Sequence, residues 1–294
     1  MTISGPSSNS SNTETIAGRA DLSYFETDTE IAKLRCRKFR KRILDISQQV
    51  QALHIASAYS CTEIVDCIYY CLMHKDDDGR FSDTFLMSKG HGCMIQYVIL
   101  EELGVLSRKD MDMYCKAGGR LGCHPDYGNP GIAASTGALG HGLSMALGMA
   151  YAEKTQGKSN TIYCVLSDGE LQEGSTWEAT LMASSLKVHN LVAFVDNNDF
   201  QSLGRTSTTH PSFYPLVGKY LAFGWDAIEV DGHDTQSIFA AVKSRKGDRP
   251  LMVVCKTIKG KGVSFMENVP IWHYRAPNPD EYRQALAEIG ANET

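Results

Sequence analysis

Two short apolar runs in the sequence are each followed directly by residues that carry hard oxygen ligands. The run at 161–166 leads into Asp168, and the run at 191–195 leads into Asn198. Their length and their β-branched residues predict buried strands, with a crossover helix between them. Parallel strands joined in this way have their carboxyl ends at one edge of a sheet, where open α/β sheets bind ligands. We therefore expect the two side chains to face one divalent cation, Mg²⁺ or Ca²⁺, which can hold a phosphate group.

The same alternation of strands and helices continues along the chain. It predicts an α/β fold with one parallel sheet flanked by helices. Further strands are predicted at 81–87, 225–230 and 251–255. The main helices are predicted at 28–53, 62–72, 95–103, 143–151, 177–186, 234–242 and 279–289. The helix between the two opening strands should bury Trp177, Leu181, Met182 and Leu186. The basic residues of the first helix should form a solvated face, namely Arg35, Arg37, Lys38, Arg40 and Lys41.

Composition limits the class of protein. A chain of 294 residues with 43% hydrophobic residues can bury a large core. We predict a disordered tail at 1–22 and a single domain at 23–294 that includes a C-terminal helical extension. A net charge of −5 without a basic stripe argues against nucleic acid and anionic membranes as partners. No signal peptide or membrane span is visible, and nine scattered cysteines without a Cys-x-x-Cys pair suggest reduced thiols in the cytoplasm.

Several loops carry residues suited to ligand binding. The turn SKGH at 88–91 joins a strand to a helix and could cradle a phosphate. The glycine-rich segment at 115–142 contains His124 and is interpreted as a ligand wall, because so much glycine is costly unless a backbone must approach a ligand. Lys259 follows the last strand and could reach the same edge. By contrast, DGHD at 231–234 is interpreted as a turn and a helix cap, which leaves His233 without a catalytic role.

These motifs resemble those of the transketolase family, thiamine-diphosphate enzymes that move two-carbon ketol units between sugars. The resemblance covers residues 28–289 and is closest to the N-terminal, diphosphate-binding half, which implies the PP-type fold of that half. It rests on SKGH at 88–91, TGALG at 136–140, DGELQEG at 168–174, Asn198, and His273 followed by Ala276 and Pro277. His54 lies in LHIA, where the family usually has GHPG or GHIG.

The resemblance also implies roles for individual residues. The metal, Mg²⁺ or Ca²⁺, would be bound by Asp168, Asn198 and the backbone oxygen of Phe200. The thiamine diphosphate would be bound by Lys89, His91, Gly137, Leu139, Asp168, Gly169, Asn198, Lys259 and His273. The catalytic residues would be His54, His91, His124 and His273. As imidazoles they would provide hydrogen bonds and proton transfers near neutral pH.

In the family the cofactor lies between this domain and a pyrimidine domain that carries an essential glutamate. The present sequence ends before any such domain. We therefore expect a split transketolase in which a separate C-terminal subunit supplies the glutamate, and in which the assembled complex is a heterotetramer containing two copies of this chain. Small sugars are the expected substrates.

Three alternatives remain open from the sequence. The chain could belong to a two-component acyl or ketol transferase with another acceptor, such as a sulfo-sugar, a branched sugar or a carrier-bound thioester. It could be a non-catalytic cofactor-binding subunit, although four histidines argue against that. It could be a Mg²⁺-dependent phosphohydrolase, although no nucleophile or second metal cluster is evident.

Overall fold

The structure is a computed structural model that describes residues 29–50 and 53–290. The tail predicted at 1–22 and the start of the predicted domain lie outside these residues, so the domain boundary stays a prediction.

The centre of the molecule is a five-stranded parallel sheet. In chain order the strands are β1 (Thr84–Met87), β2 (Ile162–Ser167), β3 (Leu191–Asn197), the short β4 (Phe200–Gln201) and β5 (Gly204–Arg205), β6 (Asp226–Asp231) and β7 (Leu251–Lys256). The sheet order is β1-β2-β3-β7-β6, and β4 and β5 form a separate antiparallel hairpin. The predicted fold class is confirmed, and the carboxyl ends of all five sheet strands share one edge.

Helices cover both faces of the sheet. Within the described residues the α-helices are α1 (Thr29–Ser47), α2 (Ile55–Ser60), α3 (Thr62–Cys67), α4 (Met94–Glu102), α5 (Arg108–Asp112), α6 (Gly142–Thr155), α7 (Gly174–Ser185), α8 (Thr206–Thr209), α9 (Leu216–Ala222), α10 (Thr235–Lys243) and α11 (Pro279–Gly290). The predicted helix at 62–72 is α-helical only to Cys67 and continues as a π-helical turn, Ile68–Leu72. In this part of the chain no helix is long and apolar enough to cross a membrane.

Two hydrophobic clusters lie on opposite sides of the sheet. Phe194 and Val253 point into the cluster that contains α1, α3, α4 and α11. Ala193 and Val254 point into the cluster that contains α6, α7 and α9. Successive side chains of a strand face opposite ways, so strands that are apolar throughout fill both layers.

The first helix differs from its prediction in length and in the surroundings of its basic residues. It ends at Ser47, and Ile31 and Leu34 are exposed. Arg40 is buried and pairs with Glu63, while Arg35 pairs with Asp66. The prediction of a fully solvated basic face was therefore wrong. The reason is that α1 packs against α3, whose carboxylates attract these guanidinium groups.

The prediction for α7 was also wrong for two residues. Leu181 and Met182 are 53% and 47% exposed. The buried positions of the helix are small instead, namely Thr176, Ala179, Thr180 and Ala183. Small side chains let α7 approach α6 and the core closely, which turns the larger ones outward. The result is an exposed apolar face on α7.

Candidate active site

Asp168 lies at the end of β2 and caps the short 3₁₀ helix Gly169–Gln172. Its Oδ1 accepts a hydrogen bond from the backbone N–H of Gly169 at 2.8 Å, and its Oδ2 accepts one from the N–H of Asp199. The side chain is fully buried. Burial, followed by the nearby carboxylate of Asp196, raises the pKa of Asp168 to about 7. A cation bound beside Asp168 would stabilise the ionised form of this buried carboxyl group.

The side chain of Asn198 is held in one orientation. Its Nδ2 donates to Ser60 Oγ at 3.0 Å and to Asp196 Oδ2 at 3.1 Å. Its Oδ1 accepts a hydrogen bond from the backbone N–H of Phe200 at 3.0 Å. The amide oxygen therefore lies on the side of Phe200, whose backbone oxygen is another expected ligand of the cation.

The backbone oxygen of Phe200 lies beside the Asp168 turn. A Cβ added to Gly169 would lie 3.3 Å from that oxygen, so glycine keeps this space open. One carboxylate, one amide oxygen and one backbone carbonyl are a donor set suited to Mg²⁺ or Ca²⁺, which leaves positions for phosphate oxygens. Among residues 29–50 and 53–290 no group of three His, Cys, Asp or Glu side chains could hold a metal.

Lys89 does not stand free at the site. Its ammonium group is fully buried and donates to Asp196 and, at 3.0 Å, to the backbone oxygen of Ser57. Asp196 also accepts hydrogen bonds from the hydroxyls of Ser60 and Thr257. Sequence reasoning missed this orienting role of Asp196. An acidic residue near the end of a buried strand was the available signal.

The structure brings the four candidate histidines together. Each comes from a different segment: His54 precedes α2, His91 lies in the 3₁₀ helix Gly90–Gly92, His124 lies in the glycine-rich loop, and His273 ends the 3₁₀ helix Pro270–His273. The ring centre of His54 lies 5.7 Å from that of His91, 5.8 Å from that of His124 and 5.2 Å from that of His273. The His91 and His273 ring centres are 5.6 Å apart.

The surroundings of these four histidines favour the neutral form of the imidazole. Burial, with a contribution from His124, lowers the pKa of His54 to about 4. Burial and the ammonium of Lys259 lower the pKa of His273 to about 3. Burial also lowers the pKa of His91 and of His124. The sequence alone suggested titration near neutrality, whereas these environments favour imidazoles that accept or donate a hydrogen bond without charge.

The TGALG segment packs against the histidine cluster. Gly137 has φ of 127°, and a Cβ there would lie 2.5 Å from Cδ2 of His124. Leu139 lies two residues further along the same segment and is partly buried. Only glycine allows this backbone conformation and this close contact together.

Glu170 connects the loops around the site, a role that sequence reasoning missed. Its Oε1 accepts hydrogen bonds from Ser88 Oγ at 2.5 Å and from the backbone N–H of Gly140 at 2.9 Å. The turn at 88–91, the TGALG segment and the DGELQEG motif thus meet at one buried carboxyl group. Burial raises the pKa of Glu170. The signal was a charged residue within a motif that directly follows a buried strand.

Lys259 reaches the site from the loop after β7, as predicted. Its Nζ lies 2.9 Å from Nδ1 of His273 and donates to the backbone oxygen of Ser202 at 3.2 Å. Burial and the charge of Lys89 lower the pKa of Lys259 to about 8. Tyr274, which sequence reasoning did not select, has its ring centre 4.4 Å from that of His273 and 5.9 Å from that of His54. It is half exposed at the edge of the cluster.

A comparison with protein-family models shows the family to which the chain belongs. The model of the N-terminal transketolase family, described as the transketolase thiamine diphosphate binding domain, matches residues 31–294. The chain belongs to this family. Its members bind thiamine diphosphate through the fold described above, which agrees with the resemblance found in the sequence.

Among similar transketolases, some are separate subunits and others are longer chains. The chain is 36% identical to one subunit of the apulose-4-phosphate transketolase of Phocaeicola vulgatus, over 88% of this chain and 94% of that protein. It is 35% identical to one subunit of the 6-deoxy-6-sulfo-D-fructose transketolase of Clostridium sp., over 85% of this chain and 93% of that protein. It is 34% identical to human transketolase, over 91% of this chain but only 44% of that protein.

Solved transketolase structures show the same fold. The transketolase of Campylobacter jejuni superposes with a TM-score of 0.82 at 25% identity, over 90% of this chain and 43% of that chain. The transketolase of Leishmania mexicana superposes with a TM-score of 0.79 at 28% identity, over 88% of this chain and 41% of that chain. The chain therefore spans less than half the length of these transketolases.

Proposed function

We propose that this chain is the diphosphate- and metal-binding subunit of a two-component transketolase, which transfers a two-carbon ketol unit from a ketose donor to an aldose acceptor. The convergence of four histidines beside Lys259 carries the proposal. A site that only held a cofactor would have no need of this many imidazoles around one space. Membership in the transketolase family supports the same reaction class.

The candidate site offers groups for each part of the cofactor. Asp168, Asn198 and the backbone oxygen of Phe200 would hold Mg²⁺. The diphosphate would be held by Gly169, His91, Lys259 and His273, and Gly137 and Leu139 would contact the two rings. Lys89 would contribute indirectly, because its ammonium group donates to Asp196 and Asp196 in turn orients Asn198. When bound, thiamine diphosphate supplies the carbanion chemistry of the transfer.

The histidines would transfer a proton of the donor sugar and hold its hydroxyl groups in place. A neutral imidazole can accept the proton of the donor's C3 hydroxyl and return it later. The others can hold neighbouring hydroxyl groups in place by hydrogen bonds, which orients the bond to be broken. Because charging a buried imidazole is unfavourable here, a proton taken from the donor would be released readily. His124 is the most suitable base to test, since it lies against Gly137 and is not among the residues proposed to hold the diphosphate.

A second polypeptide is part of the proposal. Two relatives that this chain covers almost completely are named as transketolase subunits. The partner would supply the glutamate of the pyrimidine domain, and the assembled complex would contain two copies of each chain in the cytoplasm. The exposed apolar side chains of the neighbouring helices α6 and α7 support such a contact surface, namely Met145, Tyr151, Leu181 and Met182.

The proposal is tested by reconstitution. The chain and the product of a neighbouring reading frame with a pyrimidine domain are mixed with thiamine diphosphate, Mg²⁺ and a ketose phosphate, and aldose release is measured. We expect release in the mixture and none after the Asp168→Ala change. Equal release by the variant would contradict the proposed metal site.

A modified sugar is a second candidate for the substrate. The relatives are named for apulose-4-phosphate and for 6-deoxy-6-sulfo-D-fructose. In this chain Tyr274 adds an aromatic face beside His54 and His273, which would contact a bound sugar. Mass spectrometry of the products formed from a panel of donors would separate this candidate from ordinary ketose phosphates. A carrier-bound thioester in the same panel tests the acyl-transfer alternative.

A further inference from the structure

We propose that Arg40, Glu63 and His233 form a buried relay that positions Lys259 at the cofactor site, with His233 as the positioning residue. The inference rests on the proposed function, because the role of Lys259 toward the diphosphate is itself proposed. It gives a role to the DGHD motif that the sequence analysis interpreted as only a turn and a cap.

The relay is a continuous chain of hydrogen bonds. Arg40 donates from Nη1 to Oε1 of Glu63 at 2.6 Å and from Nη2 to Oε2 at 2.8 Å. Oε2 of Glu63 lies 2.9 Å from Nδ1 of His233. The backbone N–H of Ile258 donates to Nε2 of His233 at 2.9 Å. Arg40 and Glu63 are buried, and the side chain of His233 is 13% exposed.

These partners determine the protonation of His233. Nε2 accepts a hydrogen bond, so it carries no proton. The proton of the neutral ring is therefore on Nδ1, from which it is donated to the carboxylate of Glu63. Both nitrogens are used, and the ring is fixed between a buried ion pair on one side and the loop after β7 on the other.

The loop held by His233 is the loop that builds the site. Thr257 donates to Asp196, Ile258 donates to His233, and Lys259 contacts His273. The turn that carries His233 packs tightly on this loop, since a Cβ at Gly232 would lie 2.4 Å from Cγ2 of Thr257. Loss of the acceptor at Nε2 would leave the Ile258 N–H without a partner and would free the backbone next to Lys259.

Two substitutions test the hydrogen bonds of Nδ1 and Nε2 of His233 separately. In His233→Gln the side-chain amide reaches the position of Nε2, so it can still accept from Ile258. In His233→Asn the amide replaces Nδ1 and can still meet Glu63, but it cannot reach Ile258. Asp168→Ala serves as the control for the cofactor site itself. All variants are studied in the complex with the partner subunit, and the unfolding temperature of each is recorded.

The main readout is the dissociation constant of thiamine diphosphate in the presence of Mg²⁺, measured by calorimetry, together with kcat at saturating cofactor. We expect His233→Gln to bind the cofactor and to turn over as the wild-type protein does, and His233→Asn to bind the cofactor about tenfold more weakly. Equal affinity of the two variants, whether both strong or both weak, would overturn the positioning role.

A second readout does not depend on the cofactor. Nitrogen-15 NMR of the ring of His233 in the full chain should show a neutral imidazole protonated at Nδ1, and protonation at Nε2 would overturn the relay. If the unchanged complex fails to bind thiamine diphosphate, or if Asp168→Ala binds it equally well, the proposed function fails and the positioning role fails with it. In that case the NMR result still decides the hydrogen bonds of His233 separately.

Discussion

The ammonium nitrogen of Lys259 lies 2.9 Å from Nδ1 of His273, and both side chains are buried. Lysine is a donor, so Nδ1 of His273 accepts and the ring proton is on Nε2. The lysine thereby fixes the tautomer of an imidazole at the centre of the histidine cluster. It also keeps that imidazole neutral, since its charge contributes, after burial, to the low pKa of His273.

Replacing this lysine should change both the cofactor site and its histidine. In Lys259→Met we expect the affinity for thiamine diphosphate to fall about tenfold and the pKa of His273 to rise, because a neighbouring positive charge has been removed. Calorimetry measures the affinity and proton NMR follows the imidazole. Lys261→Met is the matched control, because Lys261 pairs with Glu267 at the surface. An unchanged His273 titration would contradict the electrostatic contribution of Lys259.

Metal binding and catalysis should be separable. Asp168→Ala should abolish the Mg²⁺-dependent binding of thiamine diphosphate, since it removes the only carboxylate of the donor set. His124→Ala should lower kcat by roughly 100-fold with little change in cofactor affinity, as expected for a proton-transfer group. The two variants are compared by calorimetry and by turnover in the reconstituted complex. Equal loss of cofactor affinity in both would count against this division of roles.

The contact between Gly137 and His124 provides a test of geometry. In Gly137→Ala a methyl group would overlap the His124 ring, and the backbone would be strained at φ of 127°. We expect a roughly 100-fold lower kcat from displacement of the imidazole. Gly218→Ala in α9 is the control, because its Cβ would meet only Cγ of Pro215 at 4.0 Å. Activity of the Gly137 variant equal to that of the control would show that this contact is not needed.

The buried ion pair of Arg40 and Glu63 should govern part of the acid stability. Burial alone would raise the pKa of Glu63, but Arg40 and His233 outweigh burial and lower it from 4.5 to about 2. A folded-state pKa below the unfolded value gives stability that is present above about pH 4.5 and is lost as pH falls toward 2. A shift of this size corresponds to about 3 kcal/mol.

The contribution of Glu63 to the pH dependence of stability should disappear in Glu63→Gln. At pH 7 the variant should be less stable by about 3–5 kcal/mol, because Arg40 is left buried without its counter-charge. From pH 5 toward pH 2 its free energy of unfolding should then fall less steeply than that of the unchanged protein. Urea titrations at several pH values give both curves. Parallel curves would contradict the contribution of Glu63, since the other carboxyl groups are common to the two proteins.

Much of the fold could be predicted from the sequence because its main signals are local. Strands β2, β3 and β7 are continuous apolar runs, and the side chain of Asp234 caps α10 as expected. Even so, β1 begins at Thr84 rather than at Phe81, and the β4–β5 hairpin was not predicted. Two-residue strands carry too little pattern to be recognised.

The candidate site was only partly predictable for a different reason. Residues with a distinctive chemistry, such as Asp168, Asn198 and the histidines, could be selected from motifs. Other site residues could not be selected in this way, because each has a hydrogen-bond partner more than 80 residues away in the sequence, namely Asp196, Glu170 and His233. Such contacts form only when the chain folds. The burial of Arg40 and the exposure of Leu181 likewise depend on which helix faces which neighbour, and periodicity within one helix does not contain that information.

We propose that this chain provides one half of a thiamine-diphosphate site and needs a second subunit for activity. The direct measurement is ketol transfer by the purified chain alone and by the chain with its partner, both with thiamine diphosphate, Mg²⁺ and the same donor and acceptor. We predict transfer by the pair and none by the chain alone. Ketol transfer by the isolated chain would show that no second subunit is needed.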